Sequence, residues 1–291
     1  MNLNSTTTYR ADLLVLTAAL VWGVAFYFQK TAMTHIGPFL FLGARCLIAA
    51  DALAPFALVE QQRNRLNCRQ ILPTAATGGV LFFIAGSIQQ TGIQTATVTN
   101  AGFLTALYVV FTPLIAWIFL GQKPGPMLWL AVCLSICGTW LLSGADLTRF
   151  SNGDWLIAFS ASIWAAHIVT TANAARQQQP LTFLSLQFLI AGLLSTSAAF
   201  VTEPIVLSDM LSALDSILYV GLLSSAFTFG LMGLALRKIA ASRATVILSF
   251  EVVFAALAGF LLLDERLSAI AWLGAGMIFV SILSLQVKQT R

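Results

Sequence analysis

The sequence repeats itself about halfway along its length, and this repeat constrains the fold more than any other feature. After a displacement of 142 residues, identical residues coincide in both halves: Asp12 with Asp154, Trp22 with Trp164, Pro38 with Pro180, and Leu47-Ile48-Ala49 with Leu189-Ile190-Ala191. One further residue of displacement extends the alignment: Val110-Phe111 with Val253-Phe254, Leu120 with Leu263, and Trp129-Leu130 with Trp272-Leu273. The matches keep their order, which indicates a tandem duplication. We therefore expect two copies of one structural unit, residues 1–148 and 149–291.

The composition predicts that both copies lie in a membrane. Of the 291 residues, 58% are hydrophobic and only 9% are charged, whereas a soluble domain has about 25% charged residues. A soluble fold must cover its surface with polar groups, so this composition excludes a soluble globular domain. The net charge of +4 comes from Lys and Arg in short loops. It therefore does not indicate binding to nucleic acid.

Ten apolar segments are each about 20 residues long, which is the length at which a helix crosses a ~30 Å hydrocarbon core. They span residues 12–33, 38–59, 71–92, 98–120, 126–144, 154–174, 181–201, 216–236, 244–263 and 269–287. Alternation with a period of two residues is absent, which argues against a membrane β-barrel. The sequence thus predicts an all-α membrane protein with ten transmembrane helices, five in each copy.

The basic residues between these segments predict the orientation of the helices. If residue 1 is cytoplasmic, eleven Lys and Arg face the cytoplasm and three face the opposite side. Short cytoplasmic loops carry such an excess of basic residues, so we expect both termini in the cytoplasm. Because each copy has an odd number of helices, the second copy enters the membrane from the other side. Inverted repeats of this kind are the architecture of secondary transporters that work by alternating access.

Several short motifs resemble the EamA family of the drug/metabolite transporter superfamily. They are Trp22-Gly23 after an apolar run, Arg45 in the second segment, and Phe250–Phe254 followed by Leu263-Asp264-Glu265. Two positions differ, since Val252 stands where the family often has a proline and Gln122 where it often has a glutamate. The resemblance implies ten helices in two copies and a carrier of the bacterial inner membrane. Carriers of this family are usually exporters of amino acids, metabolites or drugs.

Three ionisable residues lie inside predicted helices, where a charge needs a partner or a function: Arg45, Asp51 and Glu251. Arg45 and Asp51 are about 240° apart around a helix and do not share a face. One carboxylate can pair with Arg45 across helices and set their register. The other, Glu251 before Asp51, is then a candidate for proton coupling. Arg45 is also a candidate for binding an anionic carboxylate.

Two tryptophans lie too deep for the usual anchoring role at the membrane surface. Trp22 and Trp164 are each ten residues into a helix, about 15 Å from its end. They can line a cavity and stack on a substrate, or pack between helices. His167 is three residues after Trp164 and shares its face. It is either a contact to substrate or a hydrogen-bonded core histidine.

Four further polar residues lie in the third and fourth segments. Gln89, Gln90, Asn100 and Tyr108 can bind a polar solute or form hydrogen bonds between helices. Tyr108 occupies the position in the first copy that Glu251 occupies in the second. In the same segment Pro113 removes a backbone hydrogen bond, so we expect a kink that is either static or a hinge for gating.

These features predict a secondary active exporter of small organic solutes, with aromatic or large neutral amino acids as the first candidates. An exporter of lipophilic cations, with Glu251 or Asp51 as counter-charge, is the second candidate, and a carrier of phosphorylated solutes that uses Arg45 is the third. An integral-membrane enzyme is disfavoured, because HExxH and paired-acid catalytic motifs are missing, and the missing P-loop predicts no ATP drive within this chain. We expect no cofactor and no metal. The expected partners are the bilayer, a small-molecule substrate and protons as the coupling ion, in a monomer or a homodimer.

Overall fold

The computed structural model describes residues 3–64, 68–142, 151–263 and 268–286. Within these ranges all regular secondary structure is helical, which confirms the predicted all-α class. The predicted boundary between the copies, at residues 148 and 149, lies outside the described residues. The same is true of some charged residues used for the orientation and the family motifs: Arg65, Arg149, Asp264, Glu265, Arg266, Lys288 and Arg291.

Fourteen α-helices and one π-helical segment make up the described part of the chain. They are α1 Leu3–Ala32, α2 Pro38–Asn64, α3 Cys68–Ile93, α4 Val98–Thr105, α5 Tyr108–Leu120, α6 Pro126–Leu142, α7 Asn152–Arg176, α8 Pro180–Thr202, α9 Leu207–Ser212, α10 Leu214–Leu218, the π segment Tyr219–Phe227, α11 Thr228–Ala235, α12 Ala241–Leu248, α13 Glu251–Leu262 and α14 Ala269–Gln286. Among the described residues, eight helical spans are long and apolar enough to cross a membrane. The fifth and tenth predicted segments are shorter apolar helices, α6 and α14.

Two of the eight spans are interrupted in their middle by one turn of tighter helix. The first break is at Ala106 and Leu107, with φ/ψ of −63°/−9° and −58°/−15°. The second is at Ser249 and Phe250, with −57°/−15° and −67°/−13°. The backbone hydrogen bonds here join residues three apart, as in a 3₁₀-helix. The breaks occupy equivalent positions in the two copies, although the sequence predicts a continuous helix at both.

A third span contains the π segment between α10 and α11. The N–H of Thr228 reaches back five residues to the carbonyl of Leu223, which is the π pattern. Short π segments inside α-helices are frequent at functional sites. The corresponding part of the first copy lies in α3 and is α-helical.

The two halves pack against each other through reciprocal pairs of helices. α2 packs on α8, and α6 packs on α14. α1 contacts α12 and α13, as its counterpart α7 contacts α4 and α5. Exchanging the halves maps the contacts of α1 onto those of α7 and maps the pairs α2–α8 and α6–α14 onto themselves, so most of the described interior is an interface between the two copies.

The pair formed by α2 and α8 is closed at both ends by glutamates. Glu60, near the end of α2, accepts hydrogen bonds from the backbone and the hydroxyl of Thr182 at 2.8 and 2.9 Å. Glu203, at the end of α8, accepts hydrogen bonds from the backbone N–H groups of Phe39 and Leu40, both at 2.8 Å. The two helices are therefore antiparallel, and each carboxylate satisfies first-turn N–H groups that have no acceptor within their own helix.

Gly37 makes room for the carboxylate of Glu203. A Cβ atom on Gly37 would lie 2.2 Å from the carboxyl carbon of Glu203, which is an overlap. A side chain here would therefore displace the carboxylate from the start of α2.

Candidate functional site

A cavity lies where helices of both copies meet. Seven of the eleven site residues predicted from the sequence line it: Trp22, Arg45, Gln89, Tyr108, Trp164, His167 and Glu251. The other lining residues are Phe26, Gln29, Phe82, Thr105, Ile168, Ser224 and Phe229. Its position in the interface between the copies makes it the candidate functional site.

A hydrogen bond between the two copies crosses this site. The hydroxyl of Tyr108 donates to Oε1 of Glu251 at 2.8 Å, and both side chains are buried. These residues begin α5 and α13, directly after the two breaks, and they occupy equivalent positions of the repeat. Gly23 lets α1 approach at this point, because its Cβ position is 2.6 Å from the Glu251 carbonyl oxygen. The breaks therefore place two polar side chains opposite each other at the centre of the protein.

Arg45 is buried in the cavity wall and is only 4% exposed. Its guanidinium carbon lies 5.9 Å from the centre of the Phe41 ring and 5.3 Å from that of Phe82. Its Nε atom has no hydrogen-bond partner among the described residues. Cation–π attraction to these rings compensates only part of the cost of burying the charge.

The predicted ion pair of Arg45 with a carboxylate is wrong within the described part of the chain. Glu251 instead accepts the hydrogen bond of Tyr108. Asp51 is exposed on the outside of α2 and does not line the cavity. The reason is geometric, because Arg45 and Asp51 lie on different faces of one helix, and only the face with Arg45 points inward.

Aromatic rings form most of the remaining wall around Phe82. Its ring makes edge-to-face contacts with Trp164, His167, Phe188 and Phe229 at centroid distances of 4.9, 5.4, 5.0 and 5.5 Å. This geometry is favourable for aromatic pairs. The cluster gives the cavity a rigid apolar side.

The two equivalent tryptophans have different hydrogen bonds. Nε1 of Trp22 donates to the carbonyl oxygen of Ser224 in the π segment at 2.8 Å. Nε1 of Trp164 is buried and has no partner among the described residues. Trp22 is therefore held in place, whereas the buried indole N–H of Trp164 has no acceptor within the described chain.

The remaining polar side chains of the wall are partly satisfied by the protein. Gln89 donates to the hydroxyl of Thr105 at 2.7 Å. His167 pairs through Nε2 with Oε1 of Gln187 at 2.8 Å, whereas its Nδ1 has no partner among the described residues. His167 is thus hydrogen-bonded in the core and also lies in the cavity wall, so its contact with substrate stays a prediction.

Gln90, Asn100 and Pro113 lie outside the cavity wall. Gln90 donates a hydrogen bond to the side-chain oxygen of Gln29, which itself lines the cavity. Asn100 is in the first turn of α4, where its N–H is capped by the hydroxyl of Thr97. Pro113 is buried within α5, downstream of the break, so its role as a hinge stays a prediction.

Sequence reasoning missed Gln29, Phe82, Ser224 and Phe229. Gln29 carries the signal that identified Gln89, a polar residue in an apolar segment, and could have been found. Phe82 and Phe229 are two of 21 phenylalanines, so their residue type does not distinguish them. Ser224 contributes through its backbone carbonyl, which no side-chain pattern reports.

Comparison with known proteins relates both halves to one family. The EamA-like transporter family matches residues 9–144 and again residues 151–286. An uncharacterized transporter of Archaeoglobus fulgidus is 28% identical over 284 residues, which cover 96% of this chain and 86% of that protein. The uncharacterized transporter YwfM of Bacillus subtilis is 27% identical, with 94% of this chain and 92% of that protein covered.

More distant similarities agree with this result. The threonine/homoserine exporter RhtA of Escherichia coli (strain K12) is 26% identical over 242 residues, which cover 80% of this chain and 77% of that protein. A solved crystal structure superposes with a TM-score of 0.75 at 18% identity, over 95% of this chain and 96% of the other. The last comparison shows that the two chains share a fold.

Proposed function

The chain belongs to the EamA-like transporter family, and from that premise we propose that it exports amino acids, aromatic or large neutral ones first, across the bacterial inner membrane. The chain is a multi-pass membrane transporter. The proposal adds the class of solute, the direction of transport and the membrane. It also adds ten spans in two inverted repeats with both termini in the cytoplasm, where α6 and α14 are the fifth and tenth spans.

The observation that carries the proposal is the charge pattern of the cavity. One cation, Arg45, and one acid, Glu251, line it, and they do not pair with each other. A solute with one positive and one negative group would therefore meet an opposite charge for each group in the cavity wall, where an uncompensated charge is costly. An amino acid carries both charges on its main chain, and the aromatic side of the cavity suits an apolar side chain.

The arrangement of the helices supports alternating access. Both copies contribute to the cavity, and each has a break at the level of the Tyr108–Glu251 hydrogen bond. Tight turns within long helices are suited to act as hinges. We propose that each half bends at its break, so that the cavity opens first to one side and then to the other. The printed name of the relative RhtA supports both export and amino acids as substrates.

Proton coupling through Glu251 is part of the proposal. Its carboxyl group is buried in the cavity wall and bound to Tyr108, so gain or loss of a proton there changes a hydrogen bond between the two copies. Asp51 is exposed on the outside of α2, which favours Glu251 for this role.

An exporter of lipophilic cations is the second candidate. Glu251 together with the aromatic rings of Phe82, Trp164 and Phe229 can hold a cation. The guanidinium of Arg45 in the same cavity would repel such a solute, which places this function second.

Counterflow of radiolabelled amino acids into proteoliposomes that contain the purified full chain tests the proposal. We expect uptake of a subset of amino acids and a strong loss of uptake in Trp164→Ala. Trp272→Ala is the matched control, because this tryptophan is 57% exposed on α14 and lies outside the cavity.

The two candidate functions give different results in this assay. Folded wild-type protein that moves no amino acid, but exchanges a lipophilic cation such as tetraphenylphosphonium, would replace the first function with the second. If Glu251→Gln and Asp51→Asn both retained accumulation driven by a pH gradient, proton coupling would be refuted.

A further inference from the structure

We propose that the guanidinium of Arg45 binds a carboxylate of the transported solute and that the indole N–H of Trp164 is the second donor of this subsite. The assignment rests on the proposed function, since it names the group of an amino acid that the cavity recognises at one end. It makes a free carboxylate a requirement for transport.

Arg45 lies buried in the cavity wall among aromatic rings. A buried arginine that serves the fold normally pairs with a carboxylate or with carbonyl oxygens, because a guanidinium has five N–H donors and no acceptor. Among the described residues the Arg45 guanidinium lies near the rings of Phe41 and Phe82, and its Nε is buried without an acceptor. The protein therefore leaves the Nε donor of this guanidinium unsatisfied, and a guanidinium is a strong partner for a carboxylate.

Trp164 supplies a second donor next to Phe82. The Trp164 ring is 4.9 Å from the Phe82 ring, and the Arg45 guanidinium carbon is 5.3 Å from the same ring. Both residues line the cavity, and Nε1 of Trp164 has no acceptor within the described chain. Two unsatisfied donors thus belong to residues that contact one phenylalanine and line the same cavity.

The equivalent positions of the repeat carry different groups from Arg45 and Trp164. The position equivalent to Arg45 in the second copy is Gln187, whose Oε1 is already used by His167. Trp22, the equivalent of Trp164, is already bound to Ser224. The second copy thus has a neutral amide where the first has a cation, and the equivalent tryptophan has no free N–H. The anion subsite therefore exists once in the cavity, on the side of Arg45.

The test compares a carboxylic acid with its neutral analogue in the same proteoliposomes. The probes are L-phenylalanine and L-phenylalaninamide, which differ at the carboxylate, both as competitors of radiolabelled L-phenylalanine counterflow. We expect the amide to compete at least ten times more weakly than the acid. Arg45→Gln should raise the half-saturating concentration of L-phenylalanine roughly ten- to a hundredfold, the usual cost of a lost charge-assisted hydrogen bond. Arg45→Lys should retain part of the affinity, since it keeps the charge without the planar pair of donors.

A measurement without solute distinguishes a binding role from a structural one. If Arg45 awaits a ligand, thermal unfolding of empty Arg45→Gln protein should occur at the wild-type temperature or above it, because an unpaired buried charge has been removed. The control Arg243→Gln breaks the 2.7 Å ion pair with Asp12 and should unfold at a lower temperature. A decrease in Arg45→Gln as large as in the control would overturn the proposal and make Arg45 a structural residue.

The remaining outcomes separate this proposal from the proposed function. Equal competition by acid and amide would refute the carboxylate subsite and leave amino-acid transport intact. Counterflow of 3-phenylpropionate that depends on Arg45, without transport of any amino acid, would support the subsite and refute amino acids as the solute. Transport of lipophilic cations alone would refute both.

Discussion

Replacing Gly37 with alanine should destabilise the protein only as long as Glu203 is present. The added Cβ would lie 2.2 Å from the carboxyl carbon of Glu203 and would force it away from the start of α2. The carboxylate would then lose its hydrogen bonds from Phe39 and Leu40, both 2.8 Å long. Gly37→Ala and Glu203→Ala therefore remove the same two interactions by different means.

The size of the effect follows from these two bonds. A buried hydrogen bond to a charged group contributes about 1.5–3 kcal/mol, and contact with water reduces this contribution. Because Glu203 is half-buried, we expect each single substitution to lower the free energy of unfolding by about 2 kcal/mol. The double mutant should lose about 2 rather than about 4 kcal/mol of unfolding free energy, since both substitutions remove the same two hydrogen bonds.

Denaturant unfolding of the purified variants in detergent, followed by tryptophan fluorescence, measures these values. Gly276→Ala is the matched control, because nothing lies within 4 Å of its Cβ position on α14. This control should leave stability unchanged or raise it slightly, since alanine is the better helix former. Additive losses in the double mutant would show that Gly37 does not act through Glu203, and the proposed reason for a glycine at this position would be wrong.

Three further predictions follow from the contacts described above. Glu60→Ala should lower the free energy of unfolding by about 3 kcal/mol in the same assay, more than Glu203→Ala, because Glu60 is only 8% exposed and its loss removes the acceptor of the Thr182 N–H and the nearer acceptor of its hydroxyl. Tyr108→Phe leaves Glu251 without its donor and should slow counterflow roughly tenfold without preventing folding; unchanged counterflow would mean that this bond is not used in transport. Trp22→Phe keeps the ring but loses the bond to Ser224, so it should cost about 1 kcal/mol of stability, measured by the same denaturant titration.

The sequence predicts the helical segments well because their signal is length and apolarity, which a membrane requires of every span. Depth along a helix can be counted from its ends, so the sequence alone assigns Trp22 and Trp164 to the middle of their segments. Depth does not report direction around the helix. Asp51 shows this limit, because it was chosen for its depth and lies on the outer face.

Features that depend on the backbone could not be predicted from residue types. The breaks at Ala106 and Ser249 fall in runs without proline or glycine, and the break nearest to Pro113 lies upstream of it. The glutamates that close the pair of α2 and α8 look like ordinary loop charges in the sequence. Their role becomes visible only once the ends of two distant helices are seen to meet.

The hydrogen bond between Tyr108 and Glu251 joins equivalent positions, and this has a consequence for how such a protein can be built. Two separate, identical chains paired in the same way would place two tyrosines or two glutamates face to face, and two arginines where Arg45 and Gln187 now stand. Like charges would then lie opposite each other at the interface between the two chains. When both copies are joined in one polypeptide, each position can differ from its equivalent in the other copy. The two ends of the cavity then carry different groups. A solute with unlike ends then has a single way to lie in it.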